Sequence, residues 1–253
     1  MAIGMWINGD ENGVFDPGDP GFTRGMTVFE TLRTYGGRAF EVESHLDRLV
    51  ESAAVMGVPF PGREVLTSEI DAASADGVWI RVSLTLGGQR VVESRALDMS
   101  KVGRPVRCAT LRNPPPSDLP GFVKHCSRAA WNLAVARLGV DEVIFIDGDG
   151  LLLEANRSNV LGVVDGVLVT PPLDGRILAG VTRNTVLSCA RRLGIAVIEA
   201  PLPKVSPFDE LYLCSTLKEL APIAWLDDRS IGGGPVGAAL MEEFHQRVSQ
   251  LSS

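Results

Sequence analysis

DEVIFIDGDGLLLEANRSNV, residues 141–160, sets the character of the chain. Residues 143–146 form a short unbroken apolar run closed by an Asp-Gly turn, the pattern of a strand buried on both faces. A second run, Leu151 to Leu153, leads directly into Glu154. A carboxylate placed straight after three leucines risks burial, and a buried carboxylate needs a partner. A turn residue leaving the sheet is the plainer alternative, and this stretch by itself leaves the two level.

Helical and strand patterns alternate on either side. SRAAWNLAVARLG reads as a helix before it; after it, LLLEANRSNVLGVVDGVLVTPP reads as two strands around polar loops. GVTRNTVLSCARRLG is a helix, AVIEAPL a strand, ELYLCSTLKELAPIAWLDD a strand with a following turn, and SIGGGPVGAALMEEFHQRVSQ a closing helix. Upstream, MWINGD carries the Asn8-Gly9 hairpin signal. VFETLRTYGGRAFEV gives two strands joined across Tyr35-Gly36-Gly37, and ESHLDRLVESAAVMGV a helix with Ser44 as N-cap and Gly57 as C-cap. GVWIRVSLTLGG alternates Ile80, Val82, Leu84 and Leu86 as a strand should. Three consecutive prolines in RNPPPSDLPG oppose a helix. The expected class is α/β: an α+β N-terminal domain over 1–112, a Pro-rich linker over 113–121 and a larger C-terminal α/β domain over 122–253. A long surface loop is the alternative reading of the linker.

With 253 residues, 45% hydrophobic and 22% charged, the chain can bury a sizeable core. A net charge of −7 argues against nucleic acid or an anionic membrane surface as a partner. There is no uncharged apolar run of about 18 residues, so no membrane span is expected. MAIGMWINGDENG lacks the basic and apolar regions of a signal peptide. Cys108, Cys126, Cys189 and Cys214 are scattered, which fits reduced thiols in the cytoplasm. His45, His125 and His245 show no ligand spacing, so no histidine-based metal site is expected.

Three features suggest chemistry. In ILAGVTRNTVLSCARRLG a glycine and a threonine open a helix, where unsatisfied N–H groups and the helix dipole can hold an anion. Plain capping by Thr182 is the commoner explanation of such a segment. In CSTLKEL, Ser215 and Thr216 end an apolar strand, where hydroxyls can line a crevice or simply form a turn. Glu154 is the third. Against these stands Lys124, in GFVKHCSRAAWN, one of only four lysines. A single lysine is usually a surface residue. In a partly desolvated site, however, its amine becomes a nucleophile able to form an imine with a carbonyl. Pyridoxal phosphate needs such an amine, donors for its phosphate and an acid for its pyridine nitrogen, which together these residues could supply.

The order of motifs resembles the class IV, or fold type IV, pyridoxal-phosphate enzymes over nearly the whole chain. WINGD, VFETLR, SHLDRL, KHCSR, DEVIFIDGDGLLLEANRSNV, LVTPPLDGRILAGVTR, DELYLCSTLKELAPI and the PVGAAL helix follow the family's sequence of motifs. The resemblance implies an α+β N-terminal lobe with a larger barrel-like lobe, a homodimer, and pyridoxal 5'-phosphate as cofactor. It implies that Lys124 binds the cofactor aldehyde and shuttles protons, and that Glu154 pairs with the pyridine nitrogen. It also implies that Arg48, Val181, Thr182, Ser215 and Thr216 surround the phosphate, that Ser158 and Asn159 lie near the ring, and that Glu30 lies close to the lysine.

Departures bear on the reaction. Gly25-Met26-Thr27 replaces the family's usual acidic-glycine pair, Ala129 stands where branched-chain members have a tyrosine, and Phe29 where D-amino-acid members have one. KHCSR resembles the KHLNR of the 4-amino-4-deoxychorismate lyases. The expected function is therefore that lyase, a step of folate biosynthesis that releases pyruvate and 4-aminobenzoate from a small amine substrate. The alternative is a class IV aminotransferase acting on branched-chain or D-amino acids, or on amines.

Overall fold

The computed structural model describes residues 2–112 and 119–250. Most of the proline-rich stretch expected as a linker, 113–118, lies outside the described residues. The chain groups into two compact units, one of Met1–Asp98 with Val123–Arg128 and Arg247–Ser253, the other of Met99–Phe122 with Ala129–Gln246.

The first unit contains β1 (Ala2–Ile7), α1 (Pro20–Thr23), β2 (Thr27–Tyr35), β3 (Arg38–Ala39), α2 (Val42–Met56), α3 (Arg63–Ala73), β4 (Val78–Thr85) and β5 (Arg90–Ala96). Its sheet is antiparallel in the order β1-β5-β4-β2-β3. The alternation of β4 turns Val78, Ile80, Val82 and Leu84 into one core with Leu46 and Leu49 of α2 and Leu66 and Ile70 of α3. Gly57 closes α2 in the left-handed conformation, at φ 65, as expected. Ser44 is not its N-cap: α2 begins earlier, after a left-handed Glu41, and the Ser44 hydroxyl donates to that carboxylate at 3.1 Å. Asn8-Gly9 does form a turn, with both φ positive at 56 and 85. It closes only the single bridge Ile7–Asp10, because β1 takes β5 as its partner.

The second unit contains β6 (Val106–Arg112), α4 (Ala129–Leu138), β7 (Glu142–Ile146), β8 (Leu151–Ala155), β9 (Asn159–Val164), β10 (Val167–Thr170), α5 (Val181–Arg192), β11 (Val197–Glu199), β12 (Leu202–Pro203), β13 (Glu210–Ser215), β14 (Glu219–Leu226), β15 (Arg229–Ser230) and all but the last turn of α6 (Pro235–Ser249). Within its ten-stranded sheet, β9, β13, β14, β6, β7 and β8 follow one another and β8 pairs back onto β9. The sheet is thereby barrel-like, and the closing pair is Glu154 with Asn159. Leu152 and Leu153 pack into separate clusters, so β8 is covered on both faces, which explains the run of leucines.

Three expectations on where elements divide are revised by pairing. β6 falls within the range expected for the N-terminal domain, yet it pairs in parallel with β7 and β14 and belongs to the second unit. Conversely, 123–128 adds to the edge of β2 in the first unit: Phe29 N–H donates to Lys124 O at 3.1 Å and Cys126 N–H to Thr27 O at 2.9 Å. ELYLCSTLKELAPIAWLDD is two strands, because Glu219 adopts φ 57 and reverses the chain after Thr216–Lys218. No helix among the described residues is long and apolar enough to cross a membrane.

The first residue of β13 anchors α6. The Glu210 carboxylate accepts the first-turn N–H groups of Val236 at 2.9 Å and Gly237 at 2.8 Å. The Tyr212 hydroxyl donates to it at 2.5 Å and accepts from Gly234 N–H at 2.8 Å. A β-carbon at Gly237 would lie 2.0 Å from that hydroxyl oxygen. Gly237→Ala should therefore lower stability by about 2–4 kcal/mol through overpacking, read as a fall in Tm.

Candidate active site

In the first unit, the sequence SHLDRL places His45, Arg48 and, further along, Ser52 at i, i+3 and i+7 on one stripe of α2, and all three are buried. Opposite them on β2 is Glu30, 1% exposed. Arg48 donates to it from Nε at 2.7 Å and from Nη2 at 2.7 Å, and His45 Nδ1 lies 2.7 Å from the second carboxylate oxygen. Burial would raise the Glu30 pKa, but the Arg48 charge and the hydrogen bonds from Arg48 and His45 outweigh it and hold the carboxyl well below its ordinary range. Burial pushes the His45 pKa down, so the ring is neutral near pH 7 and donates from Nδ1. Glu30 thus serves Arg48 and His45.

Lys124 belongs to the same unit. Its N–H donates to Ser52 Oγ at 3.0 Å and its carbonyl accepts from Phe29, so the backbone is tied to both α2 and β2. Its Nζ lies 5.0 Å from the centroid of the Phe29 ring, which Arg81 and Arg128 also approach, at 3.8 and 5.1 Å. Next to Lys124, His125 is buried and its pKa is pushed down to about 4 by burial and then by the Arg128 charge. It is therefore neutral, with Nδ1 accepting from Ser127 N–H at 3.2 Å. Lys124, Glu30 and Arg48 are thus brought together, and the sequence reasoning passed over Ser52 and gave His45 no part. Their signal was present, as polar residues recurring at helical spacing beside the apolar stripe of α2.

In the second unit the organising residue is Asn159. It pairs with Glu154 on β8 and with Cys214 on β13. Its Nδ2 donates to Glu154 Oε2 at 3.3 Å and to Leu178 O at 2.9 Å, while Leu178 N–H donates to the same carboxylate oxygen at 3.0 Å. Glu154 is therefore half-buried and held by neutral donors. A β-carbon at residue 180 would fall 1.8 Å from Asn159 Oδ1, so only glycine fits the N-cap of α5. That N-terminus has no side-chain cap, and its first residues, Val181 and Thr182, are buried. Next to Cys214 come Ser215, the last residue of β13, and Thr216 in the hairpin turn, both half-buried. Glu154, the glycine before Val181 and Thr182, and the residue before Ser215 and Thr216 thus adjoin one asparagine. Ser158 is engaged elsewhere, donating from Oγ to Glu142 Oε1 at 2.9 Å.

The first unit offers an amine on a fixed backbone and a guanidinium held in place; the second offers an oriented carboxylate and a helix N-terminus with no side-chain cap. Comparison with known proteins agrees with that chemistry. The Amino-transferase class IV family matches residues 27–225. A Mycobacterium tuberculosis protein named bifunctional aminodeoxychorismate lyase / D-amino acid transaminase is 30% identical, over 87% of this chain and 88% of its own. The structure of the Thermoproteus uzoniensis branched-chain aminotransferase with norvaline superposes with a TM-score of 0.88 at 25% identity, covering 98% of this chain and 95% of that one. The PLP-bound form of a Mycobacterium tuberculosis aminotransferase, described as hypothetical, gives 0.82 at 28%, covering 94% of each chain.

The Glu30 carboxylate has a lowered pKa, so its stabilisation is complete above its ordinary value of 4.5 and fades as the pH falls below it. Glu30→Gln should cost about 3–5 kcal/mol at pH 7, because it leaves Arg48 buried without its counter-charge. It should also flatten the acid limb of the stability–pH curve, measured by urea unfolding between pH 7 and pH 3.

Proposed function

This chain belongs to the class IV aminotransferase family, and we propose that it is a pyridoxal-phosphate-dependent transaminase that passes the amino group of an amino acid to a 2-keto acid. What carries this reading is that amino transfer is the activity common to the family's name and to each of the three relatives. The lyase expected from KHCSR becomes the second reading, favoured by the Mycobacterium tuberculosis relative whose name joins both activities. A cytoplasmic homodimer goes with either.

The donor set suits the cofactor. The uncapped α5 N-terminus, with no β-carbon at Gly180, offers the N–H groups of Val181 and Thr182 and the positive end of the helix dipole to a phosphate. Thr216 and Ser215 add hydroxyls, and Arg48 would add a guanidinium oriented by Glu30. Glu154, oriented by Asn159 Nδ2 and Leu178 N–H, would meet a protonated pyridine nitrogen. Asn159 orients that carboxylate, and Ser158 steadies the turn leading to it. When bound, the cofactor supplies an aldehyde for the amine and a ring that withdraws electrons from the carbon bearing it. Lys124 supplies the amine at Nζ, takes the proton from the amine-bearing carbon of the substrate and delivers it again. Because Lys124 is fixed through both its N–H and its carbonyl, only its side chain need move in that transfer.

The test is optical and then chemical. Purified protein supplied with pyridoxal phosphate should be yellow, with a visible band that borohydride removes and that Lys124→Ala lacks. The same variant should lose about a hundredfold to ten-thousandfold in turnover. Wild-type protein that never develops the band would end the reading. Incubation with L-leucine, D-alanine or L-glutamate and a keto acid should yield amino transfer that depends on the acceptor. Pyruvate release from aminodeoxychorismate without an acceptor, with no transfer from any amino acid, would establish the second reading in its place.

A further inference from the structure

We propose that Glu142 is a positioning residue for the cofactor edge of the second unit, locking the turn after Glu154 and the hairpin turn of Thr216 into one arrangement. This rests on the pyridoxal-phosphate reading above and extends it to a residue that the site itself does not contain. Glu142 is the first residue of β7 and is fully buried. Its Oε1 accepts from Ser158 Oγ at 2.9 Å and from the ammonium of Lys218, and its Oε2 accepts from Arg157 N–H at 3.2 Å.

The origin of those donors carries the argument. Arg157 and Ser158 form the tight turn that joins Glu154 to Asn159, closed by Ala155 N–H on Ser158 O at 2.7 Å. Lys218 ends the three-residue turn Thr216–Lys218, and its own N–H returns to Ser215 O at 3.2 Å. One carboxylate therefore holds the loop beside the predicted ring-nitrogen acid and the loop bearing the predicted phosphate hydroxyls. A carboxylate with no access to water is retained at such a position only if its partners satisfy it, and core packing alone would be met by an apolar residue. Here the satisfying cation comes from the hairpin turn. β14, which follows that turn, is separated from β7 by β6, so no direct ladder between β14 and β7 sets the turn's position. The backbone link between the two loops is the pairing of β9 with β13, which starts at Asn159 and Cys214, and Glu142 adds a side-chain clamp to it.

The experiment compares wild type, Glu142→Gln, Lys218→Met and Lys218→Arg. The readouts are the pyridoxal phosphate dissociation constant, from titration of the apoprotein, the visible circular dichroism of the bound cofactor, and Tm without cofactor. Loss of a charged hydrogen bond predicts that Glu142→Gln and Lys218→Met raise the dissociation constant by about tenfold or more and weaken the dichroism. Lys218→Arg, which keeps the charge, should restore most of the affinity. Lys218 is partly exposed, so its methionine variant decides the matter should Glu142→Gln fail to fold. A lower Tm with wild-type affinity and dichroism in Lys218→Met would make the cluster purely structural and overturn the proposal. Failure of wild-type apoprotein to bind pyridoxal phosphate would instead overturn the proposed function.

Discussion

The side-chain amide of Asn159 meets three parts of the second unit at once: β8, the segment before α5 and the start of α5 itself. Both hydrogens of its nitrogen are used, one on Glu154 and one on the Leu178 carbonyl, and its oxygen fills the space at Gly180. Turning the amide over would set its oxygen against two acceptors, so the orientation is fixed by its surroundings. The acid at the closure of the barrel and the approach to α5 are thus joined twice, through this amide and through Leu178 N–H on Glu154.

The buried carboxylates divide by the charge of what holds them. Glu30 faces a guanidinium and an imidazole, and its negative charge is neutralised where it stands. Glu142 meets an ammonium together with neutral donors. Glu154, half-buried, is oriented by an amide side chain and a backbone N–H, which fix its direction.

What was legible in the sequence was local. The alternation of β4, the apolar stripe of α2 and the left-handed cap at Gly57 each follow from periodicity or backbone preference over a few residues. The order of motifs carried Lys124, Glu154 and the α5 N-terminus. What was hidden depended on partners distant in the chain. β6 stands within the range expected for the N-terminal domain but takes its hydrogen bonds from strands of the second unit. The reversal after Ser215 depends on Glu219 accepting φ 57, which an acidic residue does not announce. Glu142 looked like the polar start of a strand, because Lys218 and Ser158 lie 76 and 16 residues away. His45 and Ser52 were visible as a polar stripe, but a stripe does not say what it faces.

The tethering of Lys124 has a mechanical meaning. With its amide hydrogen on Ser52 and its carbonyl on Phe29, the α-carbon is a fixed bearing, and the amine is the tip of an arm with four side-chain torsions. Torsions of that kind turn in about picoseconds to nanoseconds, whereas loop rearrangements take about nanoseconds to microseconds. An arm mounted in this way can swing between two stations without unmaking a single strand or helix bond, so its travel adds no folding step to each cycle.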